Sequence, residues 1–179
     1  MASSCESWLT LWCNAFPASV QAEVPDVCQR LQATLRAHPR KSSIDSFQIS
    51  LASACLNIPE RVYFFASPLK YLANKHLAGD VDTDAERAIL ACMYNRHHNG
   101  HVREHALRLL LQQTMPDFAI PHLLRLAGEY VAAIVYLLAP LLNNAVYAQA
   151  WTGFLAENPR FYQQTQSHLL SYWNAYYRQ

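Results

Sequence analysis

A helical hairpin recurs along this chain. The segment Val102-Arg103-Glu104-His105-Ala106-Leu107 has a counterpart in Val131-Ala132-Ala133-Ile134-Val135-Tyr136-Leu137-Leu138, which begins 29 residues later, and a third segment opens near Phe161. A period of roughly 20–50 residues marks repeat architectures, in which a single pair of helices cannot bury its apolar face and does so only by stacking on the next pair. Helical spacing runs through most of the sequence, while two-residue alternation and hairpin-forming Asn-Gly or Asp-Gly turns are nearly absent. The one Asn-Gly, Asn99-Gly100, falls between two helical patterns.

Five hairpins can be drawn on this basis. The first pairs Trp8, Leu11 and Trp12 with Val24, Val27, Cys28, Leu31 and Leu35, and ends in the polar connector His38-Pro39-Arg40-Lys41-Ser42-Ser43. The second is expected to place Phe47, Leu51, Ala54 and Cys55 on one helical stripe and Val62, Phe65, Ala66, Leu69 and Ala73 on another. Asn57 would cap that second helix, with Pro59 in its first turn and Glu60 at the capping-box position. Residues 78–82 then form the clearest break. The third hairpin opens on Thr83 and Glu86, a second capping box, and runs from Ala85, Ala88, Ile89, Cys92 and Met93 into a helix over about 101–113. The fourth joins Ile120, Leu123, Leu124 and Ala127 to Val131, Ile134, Val135 and Leu138. The fifth joins Tyr147, Trp151, Phe154 and Leu155 to a last helix expected to turn Phe161, Leu169, Tyr172, Trp173 and Tyr176 inward.

Residues 82–176 resemble HEAT-type helical repeats, most clearly in Phe118-Ala119-Ile120-Pro121-His122-Leu123-Leu124-Arg125-Leu126 followed by Val131-Ala132-Ala133-Ile134-Val135. The resemblance implies a proline early in a first helix, a short turn, and a second helix of the Val-Arg-x-x-Ala type. Ala127-Gly128-Glu129 lacks the Asp-rich loop of that family, and Ala132 stands where the other unit has Arg103. The fold expected is therefore all-α, a single domain over 1–179 built as a right-handed stack of about five antiparallel hairpins, a HEAT-like α-solenoid. An irregular helical bundle is the alternative. The iron-binding members of the family use repeated His-Glu dyads, whereas this chain has one reversed dyad, Glu104-His105, and none at 132–133 or 162–163.

With 52% apolar and 15% charged residues, 179 residues suffice for a self-supporting core. The net charge of +1 supplies no global field to attract a phosphate backbone. Five cysteines without a CxxC pair read as reduced core residues of a cytoplasmic chain, and the first residues lack the pattern of a secretory leader. The apolar run from Tyr130 to Leu142 is interrupted by Pro140 and falls short of the roughly 20 residues of a membrane span.

Three groups of residues are candidates for function. Arg96, Arg103, Arg108 and Arg125 would form a basic stripe if equivalent positions of stacked helices align, the arrangement that grips a nucleic acid. His101 and His105 lie one helical turn apart, a spacing that suits two metal ligands, although no Cys or carboxylate joins them at ligand spacing. Tyr162 and Tyr177 lie off the expected core stripe of the last helix, where amphipathic rings suit a protein interface, including a homodimer. No nucleophile elbow or phosphate loop is present. The leading expectation is a non-enzymatic adaptor or scaffold for a protein or peptide, without cofactor or membrane. A nucleic-acid-binding protein using the stripe over 96–125 is the alternative.

Overall fold

The computed structural model describes residues 3–35, 45–63 and 83–178. The connector at 38–43, the stripe at 65–73 and the break at 78–82 lie outside them. Among the described residues the chain is mostly helical with one small antiparallel sheet. In chain order come α1 (Ser3–Cys13), α2 (Val24–Leu35), β1 (Ser46–Leu51), β2 (Ala54–Pro59), α3 (Asp84–Tyr94), α4 (Gly100–Leu110), α5 (Ile120–Ala127), α6 (Ala132–Leu142), α7 (Ala145–Glu157) and α8 (Pro159–Tyr176), with 3₁₀ turns at Ala18–Val20 and Asp117–Ala119.

The mostly helical structure agrees broadly with the all-α expectation, and the β-hairpin departs from it where the first helix of the second hairpin was expected. Phe47 and Ile49 on β1, and Leu56 and Ile58 on β2, point into the core, while the residues between them face outward. That alternation is a strand period, and Ser46↔Pro59 through Leu51↔Ala54 pair in register. Asn57 therefore lies on a strand and caps no helix; its N–H donates to the Asn14 carbonyl at 2.8 Å. On the other edge Asn158, in the α7–α8 turn, accepts from Ser50 N–H at 2.7 Å and donates to Ser50 C=O at 2.8 Å. Both edges of the two-stranded sheet are thus tied to helices, which stabilises a unit that is marginal when isolated. Past β2, Val62 forms a parallel bridge with His97, its N–H donating to Arg96 C=O at 2.7 Å.

The remaining elements follow the expected hairpins. Thr83 and Glu86 form a complete capping box at the start of α3. Asn99 caps α4, so Gly100 opens that helix. A Cβ at Gly100 would stand 2.9 Å from Val131 Cγ2, so glycine is needed for the chain entering α6 to approach the start of α4. α3 packs on α4 and α5 on α6; α4 touches α6 and α5 touches α7, while α8 crosses α5 and α7 and meets β1. The core runs from Trp12 and Phe16, through Phe118 and His122 stacked on Phe16 at 5.4 Å, to Ile134, Leu138, Trp151, Phe154 and Phe161.

Candidate functional site

Arg96, Arg103 and Arg125 come together in the interior, not along a surface. Arg96, in the α3–α4 turn, is fully buried and donates from Nη2 to His122 C=O at 3.1 Å. Burial pushes its guanidinium down to about 9, and the neighbouring Arg61 acts in the same direction. Arg103, in the first turn of α4, donates from Nη1 to the carbonyls of His97 and His98 at 2.7 and 2.9 Å and from Nη2 to Glu129 Oε2 at 2.9 Å. Glu129 also pairs with Arg61. Arg125 forks onto Glu60, with Nε donating to Oε2 at 3.0 Å, and lies over the Phe47 ring at 5.2 Å. These three side chains close the joint between β2, the α3–α4 turn and the α5–α6 turn. The surface stripe expected from their spacing is therefore not formed by them. Arg108 alone of the four is exposed, and it pairs with Glu104 one turn earlier at 2.8 Å.

His101 is exposed and His105 half-buried on α4. Among the described residues no group of three His, Cys, Asp or Glu is placed to hold a metal ion. Two other histidines lie in the core. Burial, with the charge of Arg96, holds His122 well below the ordinary imidazole range, and burial pushes His97 down to about 3. Cys28 and Cys92 are buried, whereas Cys13 is half-buried and Cys55, on the outward face of β2, is exposed. Burial raises the Cys92 thiol far above its usual value, against the opposing influence of Arg96, and so keeps it protonated and unreactive.

Among the described residues most of the large apolar side chains that reach solvent are aromatic. All the exposed large apolar side chains among the described residues except Tyr63 lie between Tyr130 and Tyr177. Between Glu129 and Glu157 the sequence carries no Asp, Glu, Lys, Arg or His. In this stretch α6 buries Ile134 and Leu138 and leaves Tyr136 76% exposed. On α8 the expected facing is rotated: Phe161 and Thr165 are buried and Tyr172 half-buried, whereas Leu169, Trp173 and Tyr176 are exposed. Tyr162 and Tyr177, both exposed, share that outward stripe at helical spacing. The C-terminal half of α8 therefore presents its rings to solvent and does not close the core.

The rings at the C-terminal end of α8 form one connected surface with Tyr130. Tyr130 contacts Tyr172 at 5.8 Å and Tyr176 at 6.2 Å between ring centroids, and Trp173 contacts Tyr177 at 5.7 Å. Tyr177 Oη donates to Tyr130 C=O at 2.7 Å, pinning the end of α8 to the α5–α6 turn. A narrow slot runs between α6 and α8, with Ala132, Val135 and Tyr136 on one side and Leu169, Trp173 and Tyr177 on the other. Among the described residues no single helix is long and apolar enough to cross a membrane; α6 and α7 reach that length and composition only together, bent by 104°. The sequence pointed to Tyr177 at this surface, and to Tyr162 near the start of the same helix, but missed Tyr130, Tyr136, Trp173 and Tyr176; the signal was the absence of charge over 130–156 for the first two and the single His168 over 161–177 for the others. No family model, curated protein or solved structure matches the chain.

Proposed function

We propose that this chain is a non-enzymatic protein-interaction domain, a HEAT-like stack of helical hairpins whose partner docks on the aromatic surface of α6 and α8. The observation that carries the reading is that the exposed rings stand on two stretches almost without charge: 130–156 has no Asp, Glu, Lys, Arg or His, and 161–177 has only His168. Charged residues are depleted and Tyr and Trp enriched at the centres of protein interfaces, where a ring brings large apolar area and few rotatable bonds. The polar residues that the sequence singled out support the same reading from the other side: Arg96, Arg103 and Arg125 are spent on internal acceptors.

The experiment begins with p-benzoylphenylalanine placed at Tyr176, and at Gln112 as a control, for crosslinking in the native host. The crosslinked partner is then purified and titrated. Trp173→Ser with Tyr176→Ser should weaken binding about 30-fold or more, on the scale of ~2 kcal/mol for interface rings, with helicity unchanged. Because the surface is uncharged, affinity should vary little between low and physiological salt, unlike a phosphate contact. Unchanged affinity in the double variant, or sub-micromolar binding of labelled DNA or RNA at physiological salt, would overturn the reading. Self-association abolished by the same double variant would identify the partner as a second copy.

A further inference from the structure

On other elements of the molecule lies a cleft of about 650 Å³, within the usual size of ligand and peptide sites. Its floor is apolar, with Val20, Phe118, Ile120 and Phe154 largely buried beneath it. Its lip carries Asp84 from α3, Asp117 from a 3₁₀ turn and Glu157 from α7, and among the described residues no Lys, Arg or His lines it. Asp84 is shared with Arg87, but Asp117 and Glu157 enter no ion pair among the described residues.

Three local departures from stable design converge on this one cleft. Gly153 lies in the exposed middle of α7, where glycine weakens a helix, and a Cβ there would meet nothing within 4 Å, so only a long side chain at this position would reach across the cleft. Glu157 ends α7, where a negative charge opposes the helix dipole. Ala52, in the β1–β2 turn, holds a φ of 50°, a conformation that a residue with a Cβ adopts at a cost. Local costs of this kind are retained where a site needs them.

We propose that the cleft binds an extended peptide segment of a partner protein in which Lys or Arg alternates with apolar residues. The apolar floor accepts the apolar side chains, and the carboxylates, spread over three elements, meet the cations on either side. A phosphate backbone is repelled by the same lip. Strand addition does not supply the affinity, because Ser50 N–H and C=O at this end of β1 are already taken by Asn158. Recognition therefore falls to side chains, with Ser19, Thr114 and Gln149 as neutral polar partners on the walls.

The test uses the full chain, isotopically labelled, titrated with acetyl-Leu-Lys-Leu-Lys-Leu-amide, with the same peptide carrying Glu for Lys, and with pentylamine. The Lys peptide should bind with a dissociation constant below about 1 mM and shift the amides of Ala52, Gln149 and Gly153. Asp117→Asn with Glu157→Gln should weaken it about 10-fold, since both groups are exposed and each attraction is modest. Gly153→Leu should abolish binding without lowering the melting temperature, which separates blockage of the cleft from unfolding. Equal binding of the Glu peptide, shifts confined to α6 and α8, no binding of the Lys peptide at 1 mM or pentylamine binding as tightly as the peptide would each overturn the proposal.

Discussion

Arg103 illustrates how a residue type that usually signals a surface site can be structural. Its three hydrogen bonds run to two carbonyls of the α3–α4 turn and to Glu129, a carboxylate only 3% exposed. Only a planar fork with several fixed donors meets all three acceptors at once, and an ammonium on a flexible stem does not. Arg103→Lys should therefore cost about 2–4 kcal/mol, since the lost donors leave buried acceptors unpaired. Urea unfolding of the variant checks this, and a cost under about 0.5 kcal/mol, the range of an ordinary surface change, would contradict it. The cluster of arginines and histidines was legible as unusual, but its burial was not, because Glu129 and Glu60 lie 26 and 65 residues from their arginine partners Arg103 and Arg125. Short-range spacing carries no information on pairs so far apart in the chain.

Among the elements, the third and fourth hairpins were the most legible, because a capping box at Thr83 and Glu86 and apolar residues three and four apart both depend on local geometry. The β-hairpin was not. Phe47, Leu51, Ala54 and Cys55 happen to satisfy a helical stripe, while Ile49, Leu56 and Ile58, which that stripe leaves unexplained, are the residues that follow the strand period. Its turn also lacks the usual signature: Ala52 and Ser53 take φ values of 50° and 67°, a conformation that Asn and Gly favour. Ala52→Asn with Ser53→Gly should accordingly stabilise the protein by about 1 kcal/mol, the strain relieved at such positions. A raised urea midpoint with an unchanged slope is the expected result; a lowered midpoint would show that the turn is not strained. The rotation of α8 has a different origin. Its stripe of Tyr162, Leu169, Trp173 and Tyr176 is as apolar as its inward one, so periodicity alone left two faces equivalent, and only packing against α5 and α7 selects Phe161 and Thr165 for the interior.

The whole molecule divides its polar and aromatic residues against the usual expectation. Three guanidiniums, of Arg96, Arg103 and Arg125, are held inside, where they join β2 to the turns between helices, and the rings of Tyr130, Tyr136, Trp173, Tyr176 and Tyr177 are held outside on and beside α6 and α8. The face made by those rings is the one on which the proposed partner would dock, its own apolar surface covering them. Hydrogen exchange of the complex with the purified partner tests this most directly, because it reports on every backbone amide at once. Slowed exchange is expected in the α5–α6 turn around Tyr130, along α6 near Tyr136, and over 169–177 at the end of α8, with little change over 96–108. Slowed exchange confined to the region of Arg108, with the α6 and α8 amides unaffected, would contradict it.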